Sequence, residues 1–96
     1  MATAPINPTH SAASISTTSA AVLAANTSRR YALLVNDGVA DVYLNLGGTA
    51  VVNTGIRLAG NGGSFEVGPA FGNLFRGAIN GITVSGTSTV LVTEGV

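Results

Sequence analysis

Few residues in this chain could do chemistry. Among its 96 residues are one histidine, His10, no cysteine, and no charged side chains beyond four arginines and four carboxylates. A Ser-His-Asp triad needs a histidine held between a nucleophile and a carboxylate, and a thiolate nucleophile needs a cysteine. His10 lies in a proline-containing N-terminal segment, which favours an extended arm. We therefore expect His10 to be an exposed arm residue or an interface contact, and we predict no catalytic residue and no enzyme.

The four carboxylates are Asp37, Asp41, Glu66 and Glu94. Two of them could act as acid and base on a glycosidic bond, and Asn36 with the two aspartates could offer oxygens to Ca²⁺. The spacing does not match a calcium-binding loop, and an aspartate in a glycine-containing turn usually bonds its own backbone. We predict turn-forming roles for Asp37 and Asp41 and no metal site.

Two other features could bind anions. The glycines in residues 60–63 resemble a phosphate-binding loop, but no lysine and no helix follow them, so a turn is predicted there. Arg29 and Arg30 could contact an anion such as an RNA phosphate. In a chain of balanced charge, an isolated arginine pair more often forms ion pairs, here with Glu66 or Glu94. No cofactor is predicted.

Charged residues make up only 8% of the chain, hydrophobic residues make up 46%, and the net charge is zero. An ordinary soluble domain has roughly 25% charged residues. This composition excludes an intrinsically disordered chain and a basic nucleic-acid-binding protein. The apolar stretches are far shorter than the roughly 18 residues of a membrane span, and no secretory signal is recognisable at the start. We therefore expect neither nucleic acid nor membrane as a partner, and a surface that is largely covered in an assembly.

Short apolar runs separated by glycine or asparagine predict an all-β fold. We expect a small antiparallel β-sandwich, jelly-roll-like or barrel-like, of about seven to nine strands. Two short strands are predicted within residues 12–25. The others are predicted at residues 30–36, 41–46, 50–52, 56–58, 65–67, 74–79 with 82–84 continuing or following it, and 89–93.

The clearest expected pairing is a hairpin between residues 30–36 and 41–46, because Asp37-Gly38 supports a tight turn. Tyr31 is expected to be buried. The predicted inward-facing residues are Leu33, Val35, Val42, Leu44, Ile56, Leu58, Phe65, Ile82, Val90 and Val92.

Residues 1–11 are interpreted as an extended arm that contributes little to the fold, and residues 12–96 as a single sandwich domain. Eleven extended residues, at about 3.3 to 3.6 Å each, could reach more than about 30 Å, enough to contact a neighbouring subunit. The candidate interface residues lie on the arm and on two strands. They are Pro5, Ile6, Pro8, His10, Tyr43 and Leu91.

Several segments resemble a group of small virion proteins of tailed bacteriophages. They are residues 25–36 (ANTSRRYALLVN), 42–50 (VYLNLGGTA), 55–59 (GIRLA) and 88–94 (STVLVTE), and the resemblance covers most of residues 14–94. The shared motifs are N-x-S-R-R before a buried strand, Y-L-x-x-G-G-T-A, G-I-x-L and a terminal S-T-V-x-V-T-E. The turn before Phe65 departs from the expected P-G-E/G-S pattern and reads GNGGS.

The resemblance implies a non-enzymatic structural protein of the virion, made in the host cytoplasm. Within that class we favour a capsid cement or decoration protein, because the chain has no coiled-coil or repeat segments typical of a fibre. Its expected partner is the major capsid protein or another virion protein, and a homo-oligomer is expected, with a trimer favoured. Alternatives are a neck, tail or baseplate-fibre module and a carbohydrate-binding module.

Overall fold

The computed structural model describes residues 5–96, and these form eight strands and one turn of 3-10 helix. No helix among them is long and apolar enough to cross a membrane. The 3-10 turn spans Pro69–Phe71. The strands are β1 (Pro8–Ile15), β2 (Ala20–Leu23), β3 (Tyr31–Asn36), β4 (Val42–Leu46), β5 (Ile56–Leu58), β6 (Ser64–Val67), β7 (Ile79–Thr83) and β8 (Ser88–Gly95).

The strands form two antiparallel four-stranded sheets. Sheet A has the order β1-β8-β3-β6, and sheet B has the order β2-β7-β4-β5. This order in two facing sheets is that of an eight-stranded jelly roll, in which long connections place the first and last strands side by side. The predicted all-β sandwich is confirmed. Of the two expected forms, jelly-roll-like and barrel-like, the strand order matches the jelly roll.

The connection between β3 and β4 crosses from sheet A to sheet B, so the predicted hairpin between residues 30–36 and 41–46 is wrong. The Asn36 side chain donates to the carbonyls of Ala40 (2.7 Å) and Leu58 (3.0 Å), which holds the chain where it changes sheets. Gly38 does not adopt the positive φ of a tight hairpin turn. A Cβ there would lie 2.8 Å from the Cα of Ser88, so the close approach of β8 requires glycine.

The core between the sheets confirms part of the predicted set. Val42, Leu44, Leu58, Val90 and Val92 are buried as expected, and Ile56 and Phe65 pack against the core from partly buried positions. The other buried apolar side chains are Ile15, Val22, Leu23, Ala32, Leu34, Ala50, Val67 and Ile79.

The predicted register of β3 is wrong by one residue. Ala32 and Leu34 face the core, whereas Leu33 and Val35 lie on the outer face and are half-buried. The sequence of β3 is apolar on both faces, so alternation could not choose between them. Asn36 decides which face of β3 is inward, because its side-chain amide points into the sandwich and donates to two carbonyls. Tyr31 shares the outer face, and the expectation that it is buried is wrong.

Strand β7 shows the same one-residue error, because Ile79, Gly81 and Thr83 face inward and Ile82 faces outward. A Cβ on Gly81 would lie 2.9 Å from Cγ2 of Val22, so β2 and β4 pack directly against this backbone. The predicted strand at 74–79 begins only at Ile79.

Residues 50–52 do not form the predicted strand, because the chain turns there. Thr54 donates through its backbone N–H (3.3 Å) and its hydroxyl (2.8 Å) to the carbonyl of Val51. Asn53 and Gly55 both have positive φ, which is incompatible with continued pairing.

The N-terminal segment is more ordered than the expected arm. Strand β1 begins at Pro8, so residues 8–11 are paired with β8 rather than extended away from the domain. Asn7 continues the ladder with Val96, and Ile6 packs so closely on Gly95 that a Cβ there would lie 2.8 Å from Cβ of Ile6. The first four residues of the expected arm lie outside the described residues.

Candidate functional site

The candidate interface residues lie on two different surfaces. His10 and Leu91 are on the outer face of sheet A, and the strand alternation places Tyr43 on the outer face of sheet B. Pro8 opens β1 and is exposed. Pro5 and Ile6 are attached to the end of sheet A, since Arg30 Nη2 donates to the Pro5 carbonyl at 2.7 Å. The structure therefore brings five of the six residues to sheet A or its end and separates Tyr43 from them.

The outer face of sheet A carries rows of side chains set by strand register. One row runs from Val35 through Leu91 to Ala12, and Leu91 is 42% exposed. The next row contains His10, whose Nδ1 lies 2.9 Å from Oγ1 of Thr93. This face is apolar in its centre and polar towards β1.

Tyr31 and Glu66 lie at the β3–β6 side of the same face. The Tyr31 hydroxyl donates to Oε2 of Glu66 at 2.6 Å. This hydrogen bond raises the pKa of Tyr31 above its ordinary value of 10.0, and burial and the carboxylate charge act in the same direction. The tyrosine hydroxyl and the glutamate side chain therefore form one polar position on this face.

On the outer side of sheet B, a shallow open groove is lined by Val39, Ala40, Asp41, Tyr43, Val84 and Ser85. Val39 and Val84 are 80% and 59% exposed. Asp41 is used structurally: Oδ1 accepts from the Gly60 N–H at 2.8 Å and Oδ2 pairs with Arg57 Nε at 3.0 Å. The aspartate therefore fixes a neighbouring loop rather than its own turn.

Arg29 is fully buried, and all its side-chain bonds are internal. Nε donates to Oε2 of Glu94 at 2.7 Å, which confirms the predicted ion pair with Glu94. The terminal nitrogens donate to the carbonyls of Phe75 (2.8 Å), Gly77 (3.0 Å) and Ala24 (2.6 Å). This cluster, here called the arginine clasp, connects β8 to the segment before β7. The carbonyls of Phe75 and Gly77 bond the guanidinium instead of a neighbouring strand, which is one reason why the segment before Ile79 is not a strand.

No group of three or more histidine, cysteine or carboxylate side chains in residues 5–96 is placed to hold a metal ion. Sequence reasoning missed the burial of Arg29 and the attachment of Ile6 to Gly95. The signal for the first was an arginine directly before an apolar strand in a chain with few charges. The second had no sequence signal, because it depends on the pairing of the two chain ends.

The fold defines the class of this protein as an eight-stranded jelly roll. Comparison with protein-family models, with curated proteins and with solved structures gives no match.

Proposed function

We propose that this chain is a non-enzymatic structural protein of a tailed-phage virion, specifically a capsid cement or decoration protein. It would bind the major capsid protein where capsomers meet and stabilise the shell. The observation that carries the proposal is the jelly-roll strand order, an architecture that occurs in viral capsid proteins and also in lectins and cupins. Because one fold hosts many functions, the motif resemblance supplies the virion context.

The distribution of charge supports a role in protein contact. Of the eight charged residues, four form the ion pairs Arg29–Glu94 and Arg57–Asp41, and the first of these pairs is largely withdrawn from solvent. A surface with so few charged residues would bind mainly by burying apolar area, which contributes about 25 cal/mol per Å². The candidate contact surface is the outer face of sheet A around Leu91. The expected trimer is the arrangement of shell-bound copies on local three-fold axes, and it is separate from the state of the free protein in solution.

The direct test is copy number and rebinding. In purified virions of the phage that encodes this chain, quantitative mass spectrometry should find on the order of hundreds of copies, as a shell lattice requires. A dozen or so copies would overturn the cement assignment in favour of a neck or tail module. Shells stripped of the protein should bind recombinant protein in co-sedimentation, and moderate NaCl should not release it, because salt screens charges and not apolar burial.

Two variants locate the contact. Leu91→Asp places a charge at the centre of the outer face of sheet A, and Tyr43→Asp places one on the outer face of sheet B. We expect the first to abolish co-sedimentation and the second to retain it. The reverse result would move the contact to sheet B. Binding of the wild-type protein to a glycan array but not to shells would replace the proposal with the carbohydrate-binding alternative.

A further inference from the structure

The two sheets end in four edge strands, and three of them have features that prevent pairing with another chain. Strand β6 has four residues with Glu66 among them, and β5 has three with Arg57 at its centre. Strand β2 has four residues and a register shift between Ala21 and Leu23. Short length, a charge and a bulge are the usual protections of a sheet edge.

Strand β1 lacks these protections. It is eight residues long, pairs with β8 in an uninterrupted register, and contains no aspartate, glutamate, lysine or arginine. All its residues except Ala13 and Ile15 are exposed. A long, regular, uncharged edge is a template for an added strand.

One hydrogen-bonded pair shows which backbone groups of β1 point away from β8. Asn7 and Val96 exchange two backbone hydrogen bonds, at 2.9 and 3.3 Å. In an antiparallel ladder such pairs alternate with pairs that exchange none. The residues whose N–H and C=O groups point away from β8 are therefore Pro8, His10, Ala12 and Ser14.

Pro8 has no N–H, and it stands where that group would face outward. The outward N–H groups of His10, Ala12 and Ser14 have no hydrogen-bond partner within residues 5–96. After Ser14 the edge is no longer available for pairing, because the Ser16 carbonyl already accepts a hydrogen bond from the N–H of Thr83 in sheet B at 2.9 Å. The usable edge is thus the segment between Pro8 and Ser16.

We propose that this edge binds β1 of a second copy of the chain, antiparallel about a two-fold axis at Ala12. In this register Ala12 faces Ala12 of the second copy, and His10 faces Ser14 of the second copy. The three outward N–H groups of each copy then each meet a carbonyl of the other. Two A sheets become one continuous eight-stranded sheet.

Side chains favour a second copy as the occupant. Ala12 ends the apolar row that runs through Leu91 to Val35, so a two-fold axis at Ala12 joins two such rows into one. Small side chains meet at the axis, and no Asp, Glu, Lys or Arg of β1 opposes its symmetry mate. A contact through one strand is smaller than the roughly 1,200 Å² of a stable interface, so the dimer forms reversibly at high protein concentration.

Cysteine cross-linking tests the register, because the chain has no cysteine of its own. At Ala12 the two Cα atoms would be about 5.5 Å apart, and because this is a hydrogen-bonded pair the two Cβ atoms stand too far apart for an unstrained disulfide, so a short bis-maleimide is used as the cross-linker. At Ser14 the two Cα atoms would be displaced by about 13 Å along the strand. Ala12→Cys should therefore be cross-linked into a dimer, and Ser14→Cys should not. Equal cross-linking of both variants, or of neither, would overturn the proposed pairing.

Sedimentation equilibrium of the full chain tests the interface without cysteine. The wild-type protein should show a monomer–dimer equilibrium. Ala12→Lys, which sets two ammonium groups against each other at the axis, should weaken it by about tenfold or more. Ser64→Lys is the matched control, since Ser64 is exposed in the same side-chain row at the opposite edge of sheet A, and it should dimerise like the wild type. A wild-type monomer at every concentration, a trimer, or equal loss in both lysine variants would refute β1 pairing.

Discussion

Removal of the Arg29 guanidinium should destabilise the fold more than any other single change of a charged residue. Arg29 is fully buried, and its partner Glu94 has a side chain only 17% exposed. Arg29→Met keeps the unbranched apolar part of the side chain but leaves the carboxylate and the carbonyls of Phe75, Gly77 and Ala24 without their donor. Breaking a buried pair by removing one partner costs about 3–5 kcal/mol, because the remaining charge stays buried and unpaired.

This loss is a large part of the total stability, which for a domain of this size is about 5–15 kcal/mol. At 4–8 °C per kcal/mol, the midpoint of thermal unfolding should fall by about 12 °C or more. The measurement is urea denaturation followed by far-UV circular dichroism, since the chain has no tryptophan. The slope of the free energy of unfolding against urea should be unchanged if both proteins unfold in one step.

The matched control is Arg57→Met, which breaks the ion pair with Asp41. Arg57 is 61% exposed, and solvent screening limits an exposed pair to about 0–1 kcal/mol. A double-mutant cycle of Arg29→Met with Glu94→Gln should show coupling, because the neutral amide no longer leaves a buried charge. A loss below about 1 kcal/mol for Arg29→Met, or equal losses at both arginines, would refute the structural role of the arginine clasp.

Three further predictions follow from register, chain ends and titration. In urea denaturation, Leu34→Ala should cost about 2–5 kcal/mol, whereas Leu33→Ala on the outer face should cost less than about 1 kcal/mol; equal losses would contradict the register of β3. Deletion of residues 1–11 should lower the thermal midpoint, because it removes half of β1 and the Ile6 contact, and an unchanged midpoint would restore the tether interpretation. In an absorbance titration, Tyr31 should ionise above pH 10, and Glu66→Gln should lower the pKa of Tyr31. The contribution of the Tyr31–Glu66 hydrogen bond to stability is complete below pH 10 and is lost as the pH rises through the raised pKa of Tyr31.

The placement of interface candidates shows what local patterns can detect. Leu91 is an interface candidate because it lies between Val90 and Val92, which alternation assigns to the core, and the structure places it on the outer face. Alternation in β4 likewise places Tyr43 on the face opposite to Val42 and Leu44. The pairing of β1 with β8 joins residues more than 70 positions apart, so no local pattern indicated that β1 is a paired edge strand.

The N-terminal boundary was wrong for a similar reason. Pro8 argued against a strand, because proline cannot donate to a sheet ladder. In the structure its missing N–H would point away from β8, so the pairing loses no hydrogen bond. Which side of a strand faces a neighbour is a property of the assembled sheet.

The sequence by itself determined the all-β class, the shortage of charge, and the inward faces of β4 and β8, since polar residues hold most of the outward positions of these two strands. Only the tertiary structure decided which sheet each strand joins, which face of β3 is buried, and that Arg29 is enclosed. Strand β3 is apolar on both sides, so its orientation depends on the carbonyls that Asn36 bonds, one in the connection that follows β3 and one in the opposite sheet. Arg29 is buried because Ala24, Phe75, Gly77 and Glu94 converge on it from separate parts of the chain, and such acceptors exist only once the chain has folded.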